Sequence, residues 1–108
     1  MAITSTQSQH QVRNVAVGRY LDTGTAAAFT IACGFKPRYV KVQNLASTGA
    51  TMEWYEGMAD AEGWKSVVAG DGSLITTLGI TPTADGFTVG LDTDLNVTSE
   101  QLSWLAVG

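Results

Sequence analysis

Apolar residues recur at every second position through most of this chain, in short runs separated by Gly, Pro, Asp and Ser. A period of two places successive side chains on opposite faces of a β-strand. From Asn14 to Leu21, Val15, Val17, Arg19 and Leu21 share one face, and Asn14, Ala16, Gly18 and Tyr20 share the other. Asp22-Thr23-Gly24-Thr25 then reads as a turn. Ala28 to Cys33 groups Phe29, Ile31 and Cys33, and Gly34-Phe35-Lys36-Pro37 ends that strand, because proline has no N–H to give to a ladder interior. Arg38 to Leu45 sets Val40 and Val42 against Tyr39, Lys41 and Gln43, and Thr51 to Glu56 sets Met52 and Trp54 against Glu53 and Tyr55.

The period of two lapses over Gly57 to Gly63, where Met58-Ala59-Asp60-Ala61-Glu62 fits a single helical turn. It resumes from Trp64 to Ala69, and Gly70-Asp71-Gly72-Ser73 follows as an Asp-Gly hairpin turn. Leu74 to Leu78 is expected to pair back. Thr81-Pro82-Thr83-Ala84-Asp85-Gly86 reads as a second loop, leading to Phe87–Leu91. Glu100 to Val107 closes the pattern, with Leu102, Trp104 and Ala106 on one face. About seven or eight short strands without a helix beyond one turn predict an all-β fold, a single-domain antiparallel β-sandwich or jelly roll. Residues 1–11, rich in Ser, Thr and Gln, read as a flexible N-terminal arm ahead of a β-sandwich domain spanning 12–108.

Composition narrows the class of function. The chain has 108 residues, of which 15% are charged, with a net charge of −4. An acidic balance argues against nucleic acid as a partner, since phosphate neutralisation needs a basic surface. The leader lacks the basic and apolar regions of a signal peptide, and no apolar run approaches the roughly 20 residues of a membrane span. Both features predict a soluble chain made in a cytoplasm. The charges are also segregated. Residues 1–52 carry five basic side chains against Asp22, a net of +4, and residues 53–108 carry Lys65 against nine carboxylates, a net of −8. Opposite charges brought together within one sheet, or a dipolar surface that aligns neighbouring copies, would both follow from that split.

Catalytic chemistry has little to draw on. Cys33 lies in an apolar run and the one histidine, His10, lies in the leader, so Cys33 reads as buried and inert. Asp92-Thr93-Asp94-Leu95-Asn96 opens like a calcium loop, but Val97 and Ser103 stand where Gly and Glu are required, which leaves an acidic turn. Glu53 and Glu56 are spaced to point to opposite faces of a strand, which opposes a paired-carboxylate hydrolase. No cofactor is expected. Among the aromatics, Trp54 and Trp104 share faces with Met52 and Leu102 and are expected in the core. Tyr55 and Trp64 are the candidates for a surface contact, to a protein or to the apolar face of a sugar, together with the cations Arg38 and Lys41.

The stretch Gly34-Phe35-Lys36-Pro37-Arg38-Tyr39-Val40-Lys41-Val42-Gln43-Asn44, followed by Glu53-Trp54-Tyr55-Glu56-Gly57-Met58-Ala59-Asp60, resembles small virion structural proteins of tailed bacteriophages. Gly79-Ile80-Thr81-Pro82, Gly86-Phe87-Thr88-Val89-Gly90 and Asp94-Leu95-Asn96-Val97 extend the likeness across approximately residues 34–107. The resemblance implies a capsid decoration or cement subunit, made in the host bacterial cytoplasm and carried in the virion. Its partners would be the major capsid protein or other virion proteins. It also implies a homo-oligomer, dimeric or trimeric, and supplies no catalytic residues. The alternative it leaves open is a receptor- or carbohydrate-binding module of a tail or head fibre, for which Tyr55 and Trp64 would be the contacts.

Overall fold

Eight strands form from the described residues of the computed structural model, which are 14–21, 27–46, 48–67, 70 and 72–108. They are β1 (Val15–Leu21), β2 (Phe29–Ala32), β3 (Tyr39–Asn44), β4 (Thr51–Tyr55), β5 (Glu62–Ser66), β6 (Gly72–Thr83), β7 (Gly86–Val89) and β8 (Gln101–Val107). The expected arm at 1–11 and the turn at Asp22–Thr25 lie outside the described residues. All strands join antiparallel in one sheet of order β1-β8-β3-β4-β5-β6-β7-β2. Successive hairpins from β3 to β7 make its centre, and β8 returns to fill the place between β1 and β3. The all-β antiparallel architecture expected from the spacing is therefore present, as a single curled sheet.

The curl is visible in two aromatic contacts between strands far apart in the sheet order. Trp104 of β8 meets Phe87 of β7 edge-on, with ring centroids 5.5 Å apart. Tyr20 of β1 stacks on Phe29 of β2 with centroids 3.6 Å apart, joining the two outermost strands. Between these contacts lies the core, made by alternate residues of β3, β4, β6, β7 and β8: Val40 and Val42, Met52 and Trp54, Ile80, Phe87 and Val89, Leu102 and Ala106. Trp54 is buried and Trp104 packs against this cluster, as their strand faces predicted. Cys33 is half-buried against the same cluster, its thiol donating to the Phe35 carbonyl at 3.3 Å.

One strand inverts the usual rule. β1 turns Ala16, Gly18 and Tyr20 inward and leaves Val15, Val17 and Leu21 exposed. The cause is steric. The Trp104 indole lies across Gly18, and a Cβ at that position would stand 2.6 Å from Trp104 Cζ2. Any strand face with side chains at that level would expel the indole.

Two loops come out differently from the spacing. No helical turn forms over Met58–Glu62; the Met58 N–H donates to the Tyr55 carbonyl and Glu62 already belongs to β5. Ala61, with φ 66°, makes the reversal that feeds that strand. Thr81–Thr83 continue β6 rather than forming a loop, and the chain reverses at Ala84 and Asp85. Pro82 is tolerated there because β6 pairs with β5 no further than Ile80, leaving Pro82 bounded by β7 on one side. The hairpin between β5 and β6 comes earlier than the expected Gly70–Ser73 turn: Ser66 pairs with Gly72 and Lys65 with Ser73, so Gly72 and Ser73 belong to β6, while Gly70 takes φ 91° and Asp71 lies outside the described residues.

Substituting Gly18→Val should lower stability by about 3 kcal/mol. It should also red-shift tryptophan emission, as Trp104 is pushed toward water. Denaturant unfolding followed by fluorescence measures both, and a variant as stable as the parent would contradict the steric account.

Candidate functional site

The outward side chains of six neighbouring strands form a continuous surface, fixed row by row by the strand register. The middle row crosses β1, β8, β3, β4, β5 and β6 as Val17, Leu105, Lys41, Glu53, Trp64 and Leu74. A second row holds Val15, Val107, Tyr39 and Tyr55. A third, polar row holds Arg19, Ser103, Gln43, Thr51, Ser66 and Gly72. Three of the four sequence candidates, Tyr55, Trp64 and Lys41, thus meet on one face.

Trp64 is 43% exposed and Tyr55 46%. Trp64 is held flat by its neighbour: a Cβ on Gly72 would stand 2.5 Å from the indole, so the ring lies over bare backbone. Tyr55 sits beside Tyr39 with ring centroids 5.2 Å apart. The Tyr39 hydroxyl donates to Glu53 Oε2 at 2.6 Å. Burial first, and then this carboxylate, raise the Tyr39 phenol well above its ordinary pKa, and the same two causes raise Tyr55. Because Glu53 leans toward Tyr39, Lys41 makes no ion pair among the described residues although Glu53 is its register partner. A hollow of about 150 Å³ opens beside it, lined by Lys41, Gln43, Ser103, Trp104 and Leu105.

The fourth candidate, Arg38, lies apart. It precedes β3 and pairs with Glu56 at 3.0 Å, both side chains more than 60% exposed. A pair so open to water contributes little stability, about 0–1 kcal/mol. It borders a cleft of about 320 Å³ at one end of the sheet, with Trp54, Met58 and Pro82 beneath and Lys36, Glu56 and Asp60 at the rim. Glu53 and Glu56 therefore serve different places, the first bound to a phenol on the outer face and the second to a guanidinium at the end of the sheet.

The acidic turn after β7 is a structural clamp. Asp92 is buried and accepts from the backbone N–H groups of Asp94 and Leu95 at 3.0 and 3.2 Å. Lys65 reaches Asp92 at 3.0 Å and Asp94 at 2.7 Å. Burial lowers the Lys65 pKa, but the two carboxylates outweigh it and the net shift is upward. Asn96, also buried, donates to the carbonyls of Ala27 and Gly90. Asn44 donates to the Leu95 carbonyl and to Glu100, fixing Leu95 as a plug at this end of the core. No three His, Cys, Asp or Glu side chains among the described residues are grouped to hold a metal ion.

Sequence reasoning missed the aliphatic part of the outer face, namely Val15, Val17, Leu21, Leu74 and Leu105. Alternation groups the β1 residues together, but only the strand register places them on the same face as Trp64 and Tyr55. No protein-family model, curated protein or solved structure matches the chain.

Two outcomes follow. The substitution Lys65→Met should cost about 3 kcal/mol, since it leaves the Asp92 carboxylate buried without its cation, and K65M/D92N should recover part of that loss in denaturant melts. The Tyr39 phenol ionises at higher pH when folded than when unfolded, so its contribution is intact below about pH 10 and lost as pH rises through the folded value. Lys65, raised likewise, acts in the same direction. Stability should therefore fall on the alkaline side, and E53Q should move the Tyr39 transition down toward that of an ordinary phenol in a phenolate absorbance titration.

Proposed function

We propose that this protein is a virion structural subunit of a tailed bacteriophage, a capsid decoration or cement protein that acts by non-covalent contact rather than by chemistry. The observation that carries this reading is the outer face of the sheet, where Val15, Val17, Leu21, Tyr55, Trp64 and Leu74 are each at least 43% exposed. Exposed apolar side chains gathered on one face, here on either side of Lys41 and Glu53, mark a place where another protein completes the molecule. The few charges on it, Arg19, Lys41 and Glu53, keep the cost of removing water low. The sequence resemblance of residues 34–107 to small virion proteins supplies the setting, and the cleft beside Arg38 offers a second, polar place for contact with a lattice subunit. Two acidic groups elsewhere are held in ion pairs, Glu56 with Arg38 and Asp92 with Lys65, which suits a part that holds rather than reacts.

A second reading, a carbohydrate-binding module of a tail or head fibre, is favoured by one feature. The Trp64 indole lies flat over Gly72 and exposes its other face, the geometry that stacks on the apolar side of a sugar ring.

Sedimentation of purified protein with undecorated capsids separates the two. The decoration reading expects saturable binding at a fixed number of copies per capsid and a higher temperature of capsid disruption. No saturable binding, together with a positive glycan array abolished by Trp64→Ala, would replace it with the fibre reading.

A further inference from the structure

The order of residues across the outer face has a symmetry that a second copy of the chain would satisfy. Six strands make the face, in the order β1, β8, β3, β4, β5, β6. A two-fold axis drawn parallel to the strands, midway between β3 and β4, lays each strand over a different strand of the partner: β3 over β4, β8 over β5, and β1 over β6. In the middle row this brings Lys41 against Glu53, Leu105 against Trp64 and Val17 against Leu74, every contact occurring twice. In the second row Tyr39 meets Tyr55, and in the third Gln43 meets Thr51 and Ser103 meets Ser66. At the centre of the face charge meets opposite charge, apolar meets apolar, and neutral polar meets neutral polar; at its margin Arg19 lies opposite Gly72.

We propose that the outer face is a self-complementary interface and that its occupant is a second copy of this chain, related by that axis. This rests on the part of the functional reading that makes the face a protein contact, and not on the assignment to a virion. Two further observations favour a copy over an unrelated partner. Lys41 has no ion pair among the described residues, and the axis delivers a carboxylate to each Lys41. The hollow of about 150 Å³ between β3 and β8 is also met by a projecting group, since the axis sets Trp64 of the second copy over its Leu105 wall. Two sheets packed this way lie about 10 Å apart with their strand directions aligned, the arrangement of an aligned sandwich. The curl of each sheet draws β1 and β6 back from the contact, so β8, β3, β4 and β5 carry its centre. Those four strands at ~4.8 Å and three rows at ~6.8 Å give on the order of 800 Å² buried in total, the size of a weak, concentration-dependent association.

The experiment uses the whole chain and the variants K41E and E53K, with mass read by sedimentation velocity at low salt from about 1 to 100 µM, a range that brackets weak dimers. The wild-type chain is expected to dimerise. Each single variant, folded by circular dichroism, should dimerise at least about tenfold more weakly, because like charges then face each other twice. An equimolar mixture of the two variants should form a heterodimer about as tight as wild type, since the acid introduced in one meets the base introduced in the other. A loss of fold cannot produce that rescue. Trp64→Ala should weaken wild-type association by a similar factor. A wild-type chain that stays monomeric, single variants that dimerise normally, or a mixture that stays monomeric would each overturn the interface. Dimers that ignore capsids would sink the virion reading alone, and monomers that coat capsids would sink the two-fold alone.

Discussion

Trp104 needs a bare patch of backbone beneath its indole, and Gly18 provides it. That contact decides which side of β1 faces the core, and the decision propagates. With Ala16, Gly18 and Tyr20 turned inward, the larger aliphatic side chains of the strand are committed to the surface. There they join the outward residues of β8 and extend them to the edge of the sheet. Tyr20, on the inward side, is then free to stack on Phe29 and draw the two ends of the sheet together. The curl, the core and the apolar exterior are thus consequences of one volume requirement.

Charge is distributed along the same lines. The positive first half and negative second half of the chain meet at β3 and β4, where Arg38 pairs with Glu56 and Lys41 stands beside Glu53. Within the second half the one cation is Lys65, which stands between Asp92 and Asp94. That clamp is partly buried and fixes a loop, whereas the Arg38 pair is open to water. Burial, more than separation, divides the structural pair from the exchangeable one.

Much of this was legible in the sequence. Alternation over 39–44, 51–55 and 101–107 marks strands whose inner and outer faces match those found, and it separates Trp54 and Trp104 from Tyr55 and Trp64. Local signals failed where tertiary contacts govern. Met58 to Glu62 has the residues of a helical turn, but the chain there must reverse within a few residues to enter β5, and it does so through a left-handed Ala61. Pro82 looks like a strand breaker until the neighbouring strand is known to stop at Ile80. The outer face was legible only in part, because Val17 and Trp64 are 47 positions apart and nothing local to either shows that register sets them in one row.

The stack of Tyr20 on Phe29 has one more implication. Open sheets grow by strand addition at their edges, and a chain with two exposed edges is prone to uncontrolled stringing into fibrils. Here the Tyr20–Phe29 stack holds the two outermost strands toward each other at one end. Under the proposed two-fold, recruitment would run by face and not by edge. An assembly built that way closes on itself at a fixed copy number, because a face used once is covered, whereas an edge used once creates another.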